Sequence, residues 1–276
     1  MTDIDTGTDD LLARMEDGVA VLTMNRPERR NAMSGPMLDA MGRMLAQAEV
    51  NDEVGCVVLT GAGGAFCAGG DVKGMASGGD AGAGAGQRRG FDDVVHRQRL
   101  SQRAISGRLY EMPKPTVAAL PGAAAGAGMS LALACDLRYA SDRAVMTTAF
   151  AKVGFAGDYG GTWFLTRLVG SGKARELYYL SDRLSAKEAE QLGLVNAVFP
   201  ETSFEDEVMA VARKLAAGPR VAYRYMKENL NRAVNGDLGE CLDMEAAHHL
   251  RTGQTEDHRE AAKAFVEKRE PQFKGR

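Results

Sequence analysis

The stretch Gly122-Ala123-Ala124-Ala125-Gly126-Ala127-Gly128-Met129-Ser130-Leu131-Ala132 decides the reading of this chain. Just before it, residues 115–120 form a short apolar run that reads as a buried strand. Glycines 122, 126 and 128 make a turn whose backbone can approach another group closely. Residues 126–134 then read as a short buried helix and 137–140 as the next strand. Strand, glycine turn, helix and strand in that order predict an α/β arrangement. A helix that opens on such a turn presents unpaired N-terminal amides, which favour developing negative charge.

Working outward, the same pattern recurs upstream. Residues 56–60 are an apolar strand followed by Gly63-Gly64-Ala65-Phe66-Cys67-Ala68-Gly69-Gly70-Asp71-Val72-Lys73, again small enough to bring main-chain amides to a ligand. Two amide-bearing turns at strand ends could together form one oxyanion hole. Residues 11–24 read as a hairpin turning at Asp17-Gly18, and Asn25-Arg26-Pro27 breaks it. Ser34 is a good N-cap ahead of Pro36, and Met37, Leu38, Met41, Met44, Leu45 and Ala48 repeat at helical spacing, so the methionines there read as core. The turn 25–34 carries Arg26, Arg29 and Arg30 and suits phosphate oxygens.

Residues 61–90 are rich in Gly and Ala, and 77–86 hold too few apolar side chains to order themselves, so a mobile loop is expected over about 74–90. Residues 91–111 read as helix. After Gly160-Gly161 the chain reads as helical, with one strand at 194–199 and caps or stops at Ser171, Ser185, Ser203, Gly218-Pro219 and Gly236-Asp237. No fixed-period repeat and no second globular domain emerge. The expected organisation is an α/β core over 1–200 and a helical region over 201–276.

Composition bounds the function. The 276 residues are 45% hydrophobic, enough for one sizeable core. Thirty-four Lys and Arg against 37 Asp and Glu give a net charge of -3, so no global positive field draws the chain to nucleic acid or an anionic membrane. A pI near 5.9 speaks equally against RNA binding. No apolar run approaches the roughly 20 residues of a bilayer span, and the acidic start lacks the basic flank of a targeting segment, which places the expectation in the cytoplasm. Cys56, Cys67, Cys135 and Cys241 lie far apart, without zinc or disulfide spacing, and read as buried reduced thiols.

Several chemistries fail on context. Gly122-x-x-x-Gly126-x-Gly128 with Tyr223-x-x-x-Lys227 resembles a short-chain dehydrogenase, but a complete β-α-β section precedes the glycines and no ribose-binding acid follows. Tyr223 and Lys227 then read as a surface and groove pair on a C-terminal helix. Gly128-Met129-Ser130-Leu131-Ala132 lacks the last glycine of a nucleophile elbow, leaving Ser130 a helix-face residue. Glu245-x-x-His248 has one half of a di-iron spacing and no second copy. His248 and His249 read as solvated or helix-packing residues.

Taken together, NRPERRNAMS (25–34), GAFCAGGDVK (64–73), GAAAGAGMSLALACDLRYA (122–140), the Gly160-Gly161-Thr162 turn and the ending FVEKREPQFK resemble the enoyl-CoA hydratase/isomerase, or crotonase, family across about residues 11–273. The resemblance implies an α/β spiral of repeated ββα units with a helical C-terminal trimerisation region, often in a dimer of trimers. It implies a coenzyme A thioester as substrate, in fatty-acid or aromatic-acid metabolism, with no separate cofactor or metal. Carried over residue by residue, the amides of Gly70 and Ala127 would donate to the thioester oxygen. Arg29, Arg30, Ala32, Ala68, Asp71 and Lys73 would surround the coenzyme A portion. Phe265 and Lys268 match positions that reach the nucleotide end, commonly from a neighbouring subunit.

This chain departs from the typical hydratase at the two glutamates that activate water, which align with Ser130 and Phe150. It offers instead Asp158, matching the aspartate of several isomerases and of the dehalogenase branch. Without the resemblance Asp158 would read as a helix N-cap. As a proton-transfer group it needs a pKa raised by an apolar pocket, which Phe150, Phe155, Tyr159 and Trp163 could supply. The dehalogenase branch places a His and a Trp where this chain has Arg103 and Phe150, while His96 is out of register and reads as a surface residue. The expectation is isomerisation, ahead of hydration, of an unsaturated acyl-CoA; the rival is a non-catalytic acyl-CoA-binding member.

Overall fold

A computed structural model describes residues 1–71, 74 and 90–276. Most of the loop expected over 74–90, and Lys73, lie outside the described residues.

Strands β1 (Thr2–Ile4), β2 (Leu11–Glu16) and β3 (Val19–Met24) are antiparallel neighbours, and the expected hairpin turns at Asp17 and Gly18, both at positive φ. Helix α1 (Gly35–Val50) starts where the sequence places it, with the Ser34 hydroxyl accepting from the Met37 amide. It crosses to β4 (Cys56–Gly61), parallel to β3. Helix α2 (Phe91–Gln102) runs through a π-helical turn at Arg103–Gly107 into α3 (Arg108–Glu111). Strand β5 (Thr116–Leu120) then joins β4.

The glycine turn that follows carries the two-residue strand β6 (Ala124–Ala125) and opens α4 (Ala127–Ala134). Strand β7 (Leu137–Ser141) pairs with β5, and β8 (Val145–Thr147) lies beside β6. Next come α5 (Gly161–Leu180), broken at Gly170 rather than capped at Ser171, then β9 (Leu184–Ser185) and α6 (Ala186–Gln191), which opens on a Ser185–Glu188 capping box. The strand expected at 194–199 shortens to β10 (Ala197–Phe199), because the Leu194 and Val195 amides turn back to the Ala189 carbonyl. The chain ends in α7 (Phe204–Ala216), α8 (Arg220–Ala233), α9 (Leu238–Thr252) and α10 (Glu256–Glu267).

The main sheet runs β1-β2-β3-β4-β5-β7-β10 and a smaller sheet β6-β8-β9. Two bridges extend the smaller layer: Cys67 pairs with Ala124 and Met33 with Gly70, both in parallel. Each turn of the chain thus lays one strand in the main sheet, a short segment in the second layer, and then a helix. This is the expected spiral of ββα units.

Alternation along the main strands explains the layering. Ala20, Leu22, Met24, Val57 and Leu59 join the core under α1 and α4, whereas Val19, Val21, Cys56, Val58, Val117 and Ala119 face the other way. That second face is covered by Phe204, Val208, Met209, Ala212 and Ala216 of α7. Burying each such side chain stabilises the fold by roughly 1.5–3 kcal/mol for the larger ones.

Helix α8 is anchored by Lys227, which is buried rather than in a surface groove as the sequence suggests. Its Nζ donates to the Leu109 and Lys114 carbonyls and to Asp136 Oδ2 at 2.9, 3.2 and 2.9 Å. The dehydrogenase-like Tyr223–Lys227 spacing is therefore structural. His248 likewise packs on Tyr225 and bonds Asn229. Among the described residues no helix is long and apolar enough to cross a membrane.

Candidate active site

The site lies where adjacent rungs of the second layer meet the start of α4. The Ala125 amide donates to the Cys67 carbonyl at 2.9 Å and the Cys67 amide to Ala123, so the segments containing 67–70 and 124–127 run side by side. Glycine is required in this contact. A Cβ on Gly69, at φ 89°, would stand 2.8 Å from the Ala125 carbonyl oxygen and 3.3 Å from the Ala127 nitrogen. One on Gly128 would stand 2.4 Å from the Cys67 oxygen. Gly70 and Ala127 are consequently brought to the rim of one cavity of about 630 Å³. Ala127 is the first residue of α4, so its N–H has no acceptor in a preceding helical turn.

Asp158 faces the same cavity from the turn before α5. It is not a helix N-cap: Gly160 holds that position at φ 76°, and no side chain caps the helix. Among the described residues Asp158 Oδ1 is sealed from solvent and has no hydrogen-bond partner. Burial pushes the carboxyl up to about 6, because the charged form is the one that loses water. The following residue, Tyr159, sits at φ 48°, a conformation costly for a non-glycine residue, and is held there from helix α2. Its amide donates to Gln102 Oε1 at 3.0 Å, and its hydroxyl lies 3.1 Å from Ser101 Oγ.

The wall near Asp158 is largely apolar, with Met33, Leu38, Ala149, Phe150, Val153 and Phe155. Of the aromatics expected to enclose it, Trp163 is elsewhere, edge-to-face with Tyr110 and Phe164 and with the Arg167 guanidinium over its ring. Helix α2 contributes Gln98 and Gln102, part of the expected 91–111 wall, whereas the helical tail does not reach the cavity of its own chain.

The two positions expected from sequence to match water-activating glutamates, Ser130 and Phe150, hold no carboxylate. Ser130 is buried in α4, its hydroxyl donating to the Gly126 carbonyl at 3.4 Å, with Gly161 and the Tyr178 ring closing over it. Phe150 lines the cavity and stacks on Tyr178 at 5.8 Å between ring centroids. Between Ser130, Phe150 and Tyr178 runs a seam too tight for water.

The mouth is built by the turn 25–34. Arg26, read from sequence as a phosphate ligand, is engaged inside the protein: its guanidinium donates to the Ala32 carbonyl at 2.7 Å and to Asp71 Oδ2 at 3.2 Å. The Gly74 amide and then Arg26 hold the Asp71 carboxyl below the usual range. Asp71 and Ala68 line the cavity, Ala32 is buried just behind it, and Arg29 and Arg30 stand exposed outside it. Phe265 and Lys268 lie exposed at the end of α10, away from the cavity of this chain. Sequence reasoning missed Arg26 as an internal brace and the pair Gln98 and Gln102; the i,i+4 spacing of the glutamines was the available signal.

The family model described as enoyl-CoA hydratase/isomerase matches residues 14–276. The 1,2-epoxyphenylacetyl-CoA isomerase of Escherichia coli K12 is 36% identical over 96% of this chain and 98% of its own length. The mitochondrial enoyl-CoA hydratase of Pongo abelii is 34% identical over 93% of this chain and 83% of its own. The solved structure of an enoyl-CoA hydratase from Polaromonas sp. JS666 superposes with a TM-score of 0.87 at 34% identity, over 96% of this chain and 99% of that one.

Proposed function

Because the chain belongs to the enoyl-CoA hydratase/isomerase family, we propose that it shifts the double bond of an unsaturated acyl-CoA thioester, with Asp158 as its acid–base residue. The observation that carries this reading is the Asp158 carboxylate, whose Oδ1 has no partner among the described residues, facing a cavity also lined by Gly70 and Ala127. The thioester carbonyl accepts from the N–H groups of these two residues. Ionised Asp158 takes a proton from the carbon beside the carbonyl of a 3-enoyl thioester, and the electron pair moves onto the thioester oxygen. The two amides are preorganised for that charge. The protonated carboxyl then returns the proton to the far end of the conjugated system, and the double bond settles beside the carbonyl. No atom is gained or lost, and a carboxyl poised near pH 6 serves both steps.

Isomerisation is favoured over hydration because Ser130 and Phe150 offer no carboxylate to orient a water. The proton transfer uses the groups of this chain and of the thioester alone. Ala68, Asp71 and the exposed Arg29 and Arg30 flank the cavity mouth as the coenzyme A contacts, with Lys73 assigned there by its place in the motif. Phe265, 86% exposed, and Lys268 fit a nucleotide contact across a subunit boundary in a homotrimer or dimer of trimers. Separate incubations with 3-enoyl- and 2-enoyl-CoA thioesters followed by mass spectrometry test the reaction. Product of unchanged mass with a conjugated double bond from the 3-enoyl thioester supports it, whereas an unchanged 3-enoyl thioester with water added to the 2-enoyl thioester replaces it with hydration.

A further inference from the structure

The wall around Asp158 carries one polar feature that proton transfer does not use. Gln102 accepts the Tyr159 main-chain N–H at 3.0 Å. A main-chain N–H can only donate, so the amide atom facing it is Oε1, and Nε2 points the other way. Gln102 lines the cavity, and among the described residues its NH2 group has no partner. Gln98 stands one turn earlier on the same helix face, lines the same cavity, and its amide is likewise without a partner among the described residues.

We propose that Gln102, assisted by Gln98, is a donor subsite for a neutral oxygen on the acyl group, so that the preferred thioesters carry an ether, hydroxyl or keto oxygen there. This inference rests on the acyl-CoA reading of the cavity. The thioester oxygen already has two donors in Gly70 and Ala127, so the glutamine amides address a second oxygen. Against plain hydrocarbon the half-buried Gln102 amide would lose water and gain no partner, an arrangement that disfavours an all-carbon acyl group, while the exposed Gln98 stands ready to assist. A carboxylate on the acyl group would call for a cation. Among the described residues the one cationic side chain lining the cavity, Arg26, is occupied by Asp71 and the Ala32 carbonyl. Neutral donors in the largely apolar wall near Asp158 select a neutral oxygen.

The test is calorimetric binding of four saturated thioesters that cannot isomerise: cyclohexylacetyl-CoA and its three tetrahydropyranyl counterparts, with oxygen replacing each distinct ring methylene in turn. Wild-type protein is expected to bind at least one oxygen isomer about three- to tenfold more tightly than the carbocycle. In Gln102→Met that ratio falls to one or below. Gln102→Glu does the same, and because its carboxylate still accepts the Tyr159 amide it separates loss of the donor from loosening of the turn. Equal binding of all rings by wild-type protein, or a ratio unchanged in both variants, overturns the subsite and leaves the acyl-CoA reading intact. Binding of no thioester at all overturns both.

Discussion

Gly70 and Ala127 occupy equivalent places on adjacent parallel rungs: the sequence offset between them is the one that separates the bridged pair Cys67 and Ala124. The register that builds the second layer therefore also aligns two amides on one cavity rim. Ala127 stands at the first position of α4, where proline is tolerated but has no N–H to give. Ala127→Pro should keep the fold, as judged by circular dichroism and melting temperature, and lower kcat by about 10²–10³.

The pH dependence of activity and of stability should run in opposite directions. With ionised Asp158 as the proposed base, kcat/KM should rise to a plateau above about pH 6 and fall roughly tenfold per unit below it. Stability follows the proton instead. The folded carboxyl binds a proton up to about 6, the unfolded one to about 3.8, so the folded state holds more protons in that window and loses stability as pH rises through it. Asp158→Asn removes the titration. Urea unfolding should show it gaining stability relative to wild-type between pH 4 and 6, by on the order of 1–2 kcal/mol at pH 7.

Phe150 separates the cavity from the tight seam beside Ser130 and Tyr178. Phe150→Ala should open that seam, lower stability by roughly 2–4 kcal/mol in urea titrations, and shift preference toward bulkier acyl groups through KM rather than kcat.

Lys227 satisfies two carbonyls and Asp136 far from the chemistry. Lys227→Met leaves those acceptors buried and should cost about 3 kcal/mol, with KM for the thioester nearly unchanged. A large KM effect without destabilisation would show that this residue serves the site.

What could be read from sequence was what short-range rules govern. The Asp17-Gly18 turn, the Ser34 cap and the glycine turn before Ala127 each depend on a few neighbouring residues, and each stands where expected. Asp158 was legible as a candidate through its match to the family's aspartate; local rules alone read it as a helix N-cap. Long-range choices were not legible. Arg26 pairs with Asp71, Gln102 holds Tyr159 and Lys227 reaches Asp136, all across segments distant in sequence. Trp163 looked like a pocket residue by proximity to Asp158, yet the first turn of α5 points it at Tyr110 and away from the cavity. The second-layer strands, two or three residues long, have no periodicity to detect and exist through their register with neighbours.

The most direct test of proton transfer by Asp158 is incorporation of solvent deuterium at acyl carbon, followed by mass spectrometry and nuclear magnetic resonance for wild-type and Asp158→Asn protein. The expected result is double-bond migration by the wild-type enzyme with deuterium at the carbons beside and beyond the carbonyl, and loss of both signals by about 10²–10⁴ in the variant, which still binds thioester. Full migration and exchange by Asp158→Asn would contradict the role given to this carboxylate.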